Sequence, residues 1–124
     1  MLPAPIVLNL LAANRVALDR SSGTCDLRGV FHALSLPLPA NLSFAVYYVL
    51  TAVHEPLDLG LYIDGPNDER LGGGTVRIGI RNPLSVIEGT ATFDVELVRP
   101  GTHRLKLEYR GEVLAERPLL VTEA

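Results

Sequence analysis

Hydrophobic and polar residues alternate with a period of two along most of this chain of 124 residues. Alternation of this kind is typical of β-strands that bury one face and expose the other. Turn-forming Gly, Pro, Ser, Asn and Asp residues separate the alternating stretches at intervals of about ten residues. We therefore predict about eight strands and no amphipathic helix. The predicted strands cover residues 6–13, 25–38, 42–54, 57–64, 75–81, 90–98, 102–110 and 112–121, with a short strand or an extended return within 14–24.

Two of the predicted strands carry apolar residues on both faces. Residues 25–38 place Val30 and Leu34 on one face and Phe31 on the other. Residues 42–54 are rich in β-branched and aromatic side chains, which favour a strand over a helix. A strand that is apolar on both faces is expected in the middle of a sheet, so 25–38 is predicted to be central.

Prolines and glycines predict how the strands are connected. Residues 36–41 contain two prolines and are expected to cross from one sheet to the other. Residues 65–74 are rich in turn formers and predict the connection after strand 57–64, with Gly72–Gly74 as a mobile loop or a bulge. Pro118 cannot donate a backbone hydrogen bond, so the last strand is predicted to be at an edge or bulged there.

Short strands at even spacing without helices predict an all-β fold of the sandwich type. The predicted architecture is a single antiparallel β-sandwich domain over residues 1–124, with about eight strands. Its core is expected to consist of Leu, Val, Ile and Ala, because the chain has three Phe, four Tyr and no Trp.

The stretch Pro-Gly-Thr-His-Arg-Leu-Lys-Leu-Glu-Tyr-Arg shows the alternation most clearly. The predicted inward row is His103, Leu105, Leu107 and Tyr109. The predicted outward row is Arg104, Lys106, Glu108 and Arg110. His103 therefore begins the buried row. We interpret it as a structural residue and keep a ligand-binding or catalytic role as the less favoured alternative.

The entry to this strand resembles the corner before the penultimate strand of many immunoglobulin-like sandwiches. There a tyrosine often caps the corner with a hydrogen bond to the preceding backbone. Pro100, Gly101 and His103 occupy this corner here, and a ring nitrogen of the histidine could make the analogous bond. The resemblance implies an immunoglobulin-like Greek key.

Most of the chain also resembles a family of small uncharacterised bacterial β-sandwich proteins. The opening apolar strand is followed by Leu27, Gly29, Val30 and Phe31 and then by Pro37 and Pro39. The close, "PGTHRLKLEYRGEVLAERPLLV", carries Gly111, Glu112, Pro118, Leu119 and Val121. The chain departs from the family at His103, where an aromatic residue is expected, and in residues 82–91. The resemblance implies a fold and no activity.

The charge pattern disfavours nucleic-acid and membrane-surface binding. The formal net charge is −3, no run of Lys or Arg reaches three residues, and Lys106 is the only lysine. The single cysteine, Cys25, cannot form an internal disulfide, which fits a reducing compartment. The apolar run Ile6–Ala13 has no positive charge before it and is too short to span a bilayer. We therefore expect a cytoplasmic protein.

One loop contains oxygen ligands that suit calcium. Asp64, Asp68 and Glu69 are close together in sequence, and sandwich proteins can bind Ca²⁺ in such loops. Their spacing matches no defined calcium-binding loop, and Asp-Gly-Pro-Asn is ordinary turn chemistry. We therefore expect no metal here and keep these three carboxylates as the candidates.

Other chemistry has little support in the sequence. His32, His54, His103 and Cys25 would have to converge to hold zinc, and none of them has a chelating spacing. The glycine-rich stretch 69–75 lacks the lysine and the following helix of a phosphate-binding loop. We expect no cofactor and no catalytic residue, and therefore a protein that is not an enzyme.

The two-faced apolar strands favour a function in binding. Their second faces need a cover, and a subunit contact would supply it. We expect a non-enzymatic interaction module that self-associates or serves as an accessory subunit of a bacterial complex. The alternatives are a sandwich that binds a small ligand or calcium with loops 64–74 and 82–90, and, with less support, an enzyme with a histidine and carboxylate site.

Overall fold

A computed structural model describes residues 3–79 and 82–124, and this part of the chain forms nine β-strands. The strands are β1 (Ile6–Asp19), β2 (Thr24–Phe31), β3 (Ala33–Leu36), β4 (Ala40–Thr51), β5 (Leu57–Asp64), β6 (Arg70–Ile78), β7 (Ile87–Leu97), β8 (Gly101–Tyr109) and β9 (Glu112–Glu123). The last two residues of the predicted strand 75–81 lie outside the described residues. None of the described residues forms a helix long and apolar enough to cross a membrane.

The strands form two packed sheets, which confirms the predicted all-β fold. The first sheet has the order β2-β1-β4-β7, and the second has the order β3-β9-β8-β5-β6. The pairs are antiparallel except for β3 and β9, which run parallel. The prediction of a fully antiparallel sandwich is therefore wrong at this pair. The pair is parallel because β3 enters the second sheet by a crossing from β2, and not through a hairpin.

The core lies between the two sheets and is built from the inward rows of both. The first sheet contributes Leu10, Phe44, Val46, Leu50 and Leu97, and the second contributes Leu59, Leu61, Ile63, Leu105 and Leu107. The predicted inward row of β8 is confirmed, since His103 and Tyr109 are also buried. Burying each leucine side chain contributes about 1.5–3 kcal/mol to folding, so these rows hold the sheets together.

The prediction of one central strand over residues 25–38 is wrong. The chain bends at His32, so β2 pairs with β1 in the first sheet and β3 pairs with β9 in the second. Both pieces are edge strands. The segment is apolar on both faces because it crosses between the sheets, where Phe31 packs into the core with its ring 5.7 Å from that of Phe44.

The strand β1 is longer than predicted and bends back on itself. Ala13 pairs with Ala45 of β4, so a straight continuation would carry Leu18 towards the end of β7. Instead Leu18 lines a groove with Glu88, near the beginning of β7. The β1–β2 hairpin therefore covers the outer face of β4.

The predicted connections are confirmed in part. Residues 36–41 connect β3 of the second sheet with β4 of the first, as expected. The turn between β5 and β6 comprises residues 65–69, and Gly72–Gly74 belong to β6 instead of a mobile loop. Among the described residues, Pro118 has no strand paired on the side away from β8, since β3 pairs with β9 from Leu120 onwards.

Candidate functional site

The edge strand β6 has β5 on one side and no strand on the other among the described residues. Gly73, Gly74 and Thr75 are exposed, and residues 71–76 contain no charged side chain. Its one register shift, opposite Ile63 and Asp64, lies at the beginning of the strand. Unpaired backbone N–H and C=O groups accept a further strand unless charge, proline or a bulge prevents it. The middle of β6 has none of these protections.

Two grooves follow this edge of the second sheet. The first has a volume of about 340 Å³ and lies between Gly73–Val76 and Ala91–Asp94. The second has a volume of about 270 Å³ and lies between Val76–Gly79 and Ile87–Thr90, and Leu18 and Arg20 of the β1–β2 hairpin also line it. A strand that paired with β6 would direct every second side chain towards the side of the sheet on which these grooves lie.

Two glycines of β6 have separate roles. Gly73 has a φ of 131°, and a Cβ added there would lie 2.1 Å from the carbonyl oxygen of Leu61, so the backbone requires glycine. A Cβ added at Gly74 would have nothing within 4 Å. The position of Gly74 is therefore open space beside the unpaired edge.

An ionic cluster on the outer face holds the beginning of β6 in place. Asp64 is buried, and its two carboxylate oxygens each lie 2.9 Å from a cation, the Nε of Arg70 and the Nζ of Lys106. A second nitrogen of Arg70 lies 2.9 Å from Glu108. The guanidinium also lies 3.9 Å from the ring centroid of Tyr62. These contacts join β5, β6 and β8.

Burial and charge act in opposite directions on the Asp64 carboxyl. Burial raises its pKa, but hydrogen bonds from Arg70 and Lys106 are stronger together and hold the pKa below its ordinary value. The same bonds raise the pKa of Lys106. All three groups are therefore charged near neutral pH, and the cluster acts as a structural anchor.

Three other strand edges, those of β1, β3 and β7, are protected. Residues 6–11 of β1 have no strand on the side away from β4 among the described residues. At Leu10, however, the N–H donates to Oδ1 of Asn9 at 2.9 Å, and the carbonyl accepts from Nε of Arg117 at 3.2 Å. The strand β3 has four residues, and β7 carries Glu88, Asp94 and Glu96. Capping, shortness and charge are common protections of sheet edges.

The three candidate metal ligands each have a cationic partner. Asp64 is paired as described above. Asp68 lies 3.5 Å from Arg104, and Glu69 lies 3.7 Å from Arg99 while accepting a hydrogen bond from the Asn67 N–H. Within residues 3–79 and 82–124, no three His, Cys, Asp or Glu side chains come close enough to hold a metal ion. The loop is a charge-paired turn.

The two loops of the ligand-binding alternative lie far apart. The turn 65–69 follows the end of β5, whereas residues 82–86 follow the end of β6 that pairs with the beginning of β5. The length of the β5–β6 hairpin therefore separates them. The remaining residues of the two predicted stretches, 70–74 and 87–90, belong to β6 and β7.

The histidines and the cysteine occupy different environments. His32 and His54 are exposed, His103 is buried, and Cys25 is half-buried. Burial and the neighbouring Glu88 and Asp26 carboxylates raise the pKa of the Cys25 thiol, which makes it a poorer nucleophile.

The corner before β8 has the predicted form. Gly101 has a φ of 136°, and a Cβ added there would lie 2.9 Å from Cγ of Pro66 in the turn between β5 and β6. His103 is buried, and its Nδ1 lies 3.1 Å from the carbonyl oxygen of Gly101. Pro100 is exposed just before the strand. The side chain and backbone of this corner therefore contact each other, as the sequence led us to expect.

The second face of β4 is covered within the chain. Ala45 and Tyr47 point away from the core, yet they are 9% and 8% exposed, and Ala13 of β1 is 0% exposed. The Tyr47 hydroxyl donates to the Glu88 carboxylate. Burial and this bond raise the pKa of Tyr47 to about 12. The apolar face that suggested a subunit contact is therefore already covered by the β1–β2 hairpin.

The open edge of β6 was not predicted from the sequence. The signal was present in Gly72–Gly74, which we assigned to a loop because glycine is rare inside strands. Strand pairing on both sides of β5 shows that these residues continue the sheet. An uncharged glycine run beside an alternating strand does not by itself distinguish an open edge from a loop.

The comparisons with known proteins give no family. No family model matches the chain, and no curated protein matches it either. The resemblance to small bacterial sandwich proteins therefore stays a prediction.

Proposed function

We propose that this protein is a non-enzymatic interaction module that binds a polypeptide strand along the edge of β6. The observation that supports the proposal is the uncharged edge at residues 71–76, which is exposed at Gly73–Thr75, whereas the edges of β1, β3 and β7 are capped, short or acidic. The module acts by self-association or as an accessory subunit. Its cytoplasmic location and bacterial origin stay predictions from the sequence.

The chemistry of the edge favours a polypeptide as its ligand. The recognition groups are backbone N–H and C=O groups at the spacing of a β-ladder, and these pair with another extended chain. The grooves beside Gly73–Gly79 then accommodate side chains of the added strand. Main-chain pairing provides affinity and the grooves provide specificity.

We also propose that the connectivity is an immunoglobulin-like Greek key. The chain crosses between sheets from β4 to β5, from β6 to β7 and from β7 to β8, with hairpins at β5–β6 and β8–β9. The parallel pairing of β3 with β9 and the central position of β8 are further support. The chain lacks the tryptophan and disulfide of antibody domains. An experimental structure with another strand order would contradict this connectivity.

A charged residue at the edge tests the proposed function. Gly74→Lys adds an inward lysine to the open position, a device that natural proteins use to block edges. Thr102→Lys is the control, because Thr102 is exposed on β8, within the same sheet but away from its edge. Native mass spectrometry of untagged protein from its own host should show an assembly with the wild type and with Thr102→Lys. The Gly74→Lys variant should be monomeric, and an assembly that persists in it would contradict the proposal.

A further inference from the structure

We infer that the strand accepted by β6 is β6 of a second copy of this chain. This inference rests on the proposed function and names its partner. The two strands would pair antiparallel about a two-fold axis at Thr75, so that the second sheets of the two copies join into one continuous sheet. The evidence is the distribution of small and large side chains along the strand, together with the open position at Gly74.

The sequence of β6 is complementary to itself in size. On one side of Thr75 lie three glycines, Gly72–Gly74, and on the other side lie three large residues, Val76–Ile78. In an antiparallel pair centred on Thr75, each glycine of one copy lies opposite a large residue of the other. Directly opposite residues are the closest side-chain neighbours across a ladder.

The pairs divide correctly between the two faces. Gly74 and Val76 face the core, because they pair with Leu61 and Leu59 of β5. On this face, Gly74 of one copy lies opposite Val76 of the second copy. Towards solvent, Gly73 lies opposite Arg77, and Thr75 lies opposite itself. Directly opposite side chains are close enough to interact, so Val76 of the second copy would lie beside the open position at Gly74.

The open space at Gly74 gives this register a physical advantage. A Cβ built there meets nothing within 4 Å, and the groove beside it is lined by Leu61, Val76 and Phe93. An apolar side chain from the added strand would remove this space from water. A two-fold axis at Gly74 would instead place two glycines opposite each other and leave the gap unfilled.

The proposed register also places no two like charges of the strand opposite each other. Arg77 is the charged residue within residues 71–78, and in the proposed register it lies opposite Gly73 instead of a second arginine. Its own partner, Asp58, lies 3.3 Å away on β5 of the same copy. Like charges directly opposite each other destabilise a strand pair, and this register avoids them.

Cysteine cross-linking tests the register directly. In a Cys25→Ser background, Thr75→Cys places two thiols on residues that face each other across the axis. Opposite Cα atoms in an antiparallel pair are about 4.5–5.5 Å apart, within the range of about 4.4–6.8 Å that a disulfide spans. Arg77→Cys is the matched control on the same face, because its two copies would be displaced by four residues, or about 13 Å.

The oligomeric state of the purified full-length chain is measured in parallel by sedimentation equilibrium at about 100 µM, a concentration that detects micromolar association. We expect a dimer for the wild type and for Thr102→Lys, a monomer for Gly74→Lys, and rapid oxidative cross-linking of Thr75→Cys but not of Arg77→Cys. Circular dichroism and the melting temperature show whether each variant is folded.

The outcomes separate this inference from the proposed function. A monomeric wild type, a dimer that persists in Gly74→Lys, or cross-linking through Arg77→Cys would overturn pairing with a second copy in this register. If the wild type is monomeric but its host-purified assembly contains another chain and is lost in Gly74→Lys, the interaction module remains and the second copy is rejected. If no assembly depends on Gly74, both fail.

Discussion

The Nδ1 atom of His103 lies 3.1 Å from the carbonyl oxygen of Gly101, two residues earlier in β8. Because a carbonyl oxygen only accepts hydrogen bonds, Nδ1 carries the ring hydrogen in this contact. Nε2 is buried without a hydrogen-bond partner among the described residues. The ring therefore connects the corner to the beginning of the buried row of β8.

Truncating His103 should destabilise the fold substantially. His103→Ala loses the bond to Gly101 and leaves a cavity beside the core, so the free energy of unfolding should fall by about 2–4 kcal/mol. His103→Phe keeps the volume and loses only the bond, at about 1 kcal/mol. Urea unfolding measures both. A loss below about 0.5 kcal/mol for the alanine variant would contradict the structural role.

The Asp64 cluster should make stability dependent on pH in acid. The pKa of Asp64 is lower in the folded state than its ordinary value of 3.8, so the unfolded state takes up the proton first as pH falls. The contribution of Asp64 is therefore complete above about pH 4 and is lost below it. The difference in unfolding free energy between wild type and Asp64→Asn should be largest at neutral pH and shrink in acid. A difference that stays constant down to pH 2 would contradict this.

The buried Tyr47 should make stability dependent on pH in alkali, where stability falls as pH rises. Its pKa is raised from 10.0 to about 12, so the folded state retains the proton that the unfolded state releases. The stability that Tyr47 contributes is complete below about pH 10 and is lost as pH rises towards 12. The stability difference between wild type and Tyr47→Phe should therefore narrow over this interval in urea unfolding. Ionisation of Tyr47 near pH 10, measured by its absorbance change, would contradict the burial of this face of β4.

Removing the cap from β1 should expose a second strand edge. Arg117→Ala frees the Leu10 carbonyl, which should lower stability by about 1 kcal/mol and increase turbidity on heating. Arg15→Ala removes an equal charge from an exposed position of β1 without touching the cap and is the control. Equal aggregation of the two variants would show that the cap has no protective role.

The strands that the sequence predicted well are those with one buried face and clear turns. The β8 row beginning at His103 and the strand β5 were identified correctly because alternation alone determines which side chains face inward. Sandwich architecture followed from the even spacing of these strands. The corner interaction was also predictable, since Pro100 and Gly101 fix the entry to the strand.

The errors arose where tertiary structure determines the role of a segment. Residues 25–38 have the pattern of one central strand, and alternation does not show that a bend at His32 divides it between two sheets. The cover over Tyr47 depends on the curvature of β1. Gly72–Gly74 resemble a loop until the pairing of β5 and β6 is known. The β6 edge could not be located from local sequence for this reason.

Hydrogen exchange at the β6 amides tests the central claim most directly. Amides of residues 72–76 are compared between protein dissociated by dilution and the associated protein, with β3 at the opposite edge of the second sheet as an internal reference. An added strand protects edge amides by pairing with them. We predict slower exchange in β6 on association and unchanged exchange along β3. Identical exchange of the β6 amides in both states would contradict the assignment of this edge as the binding site.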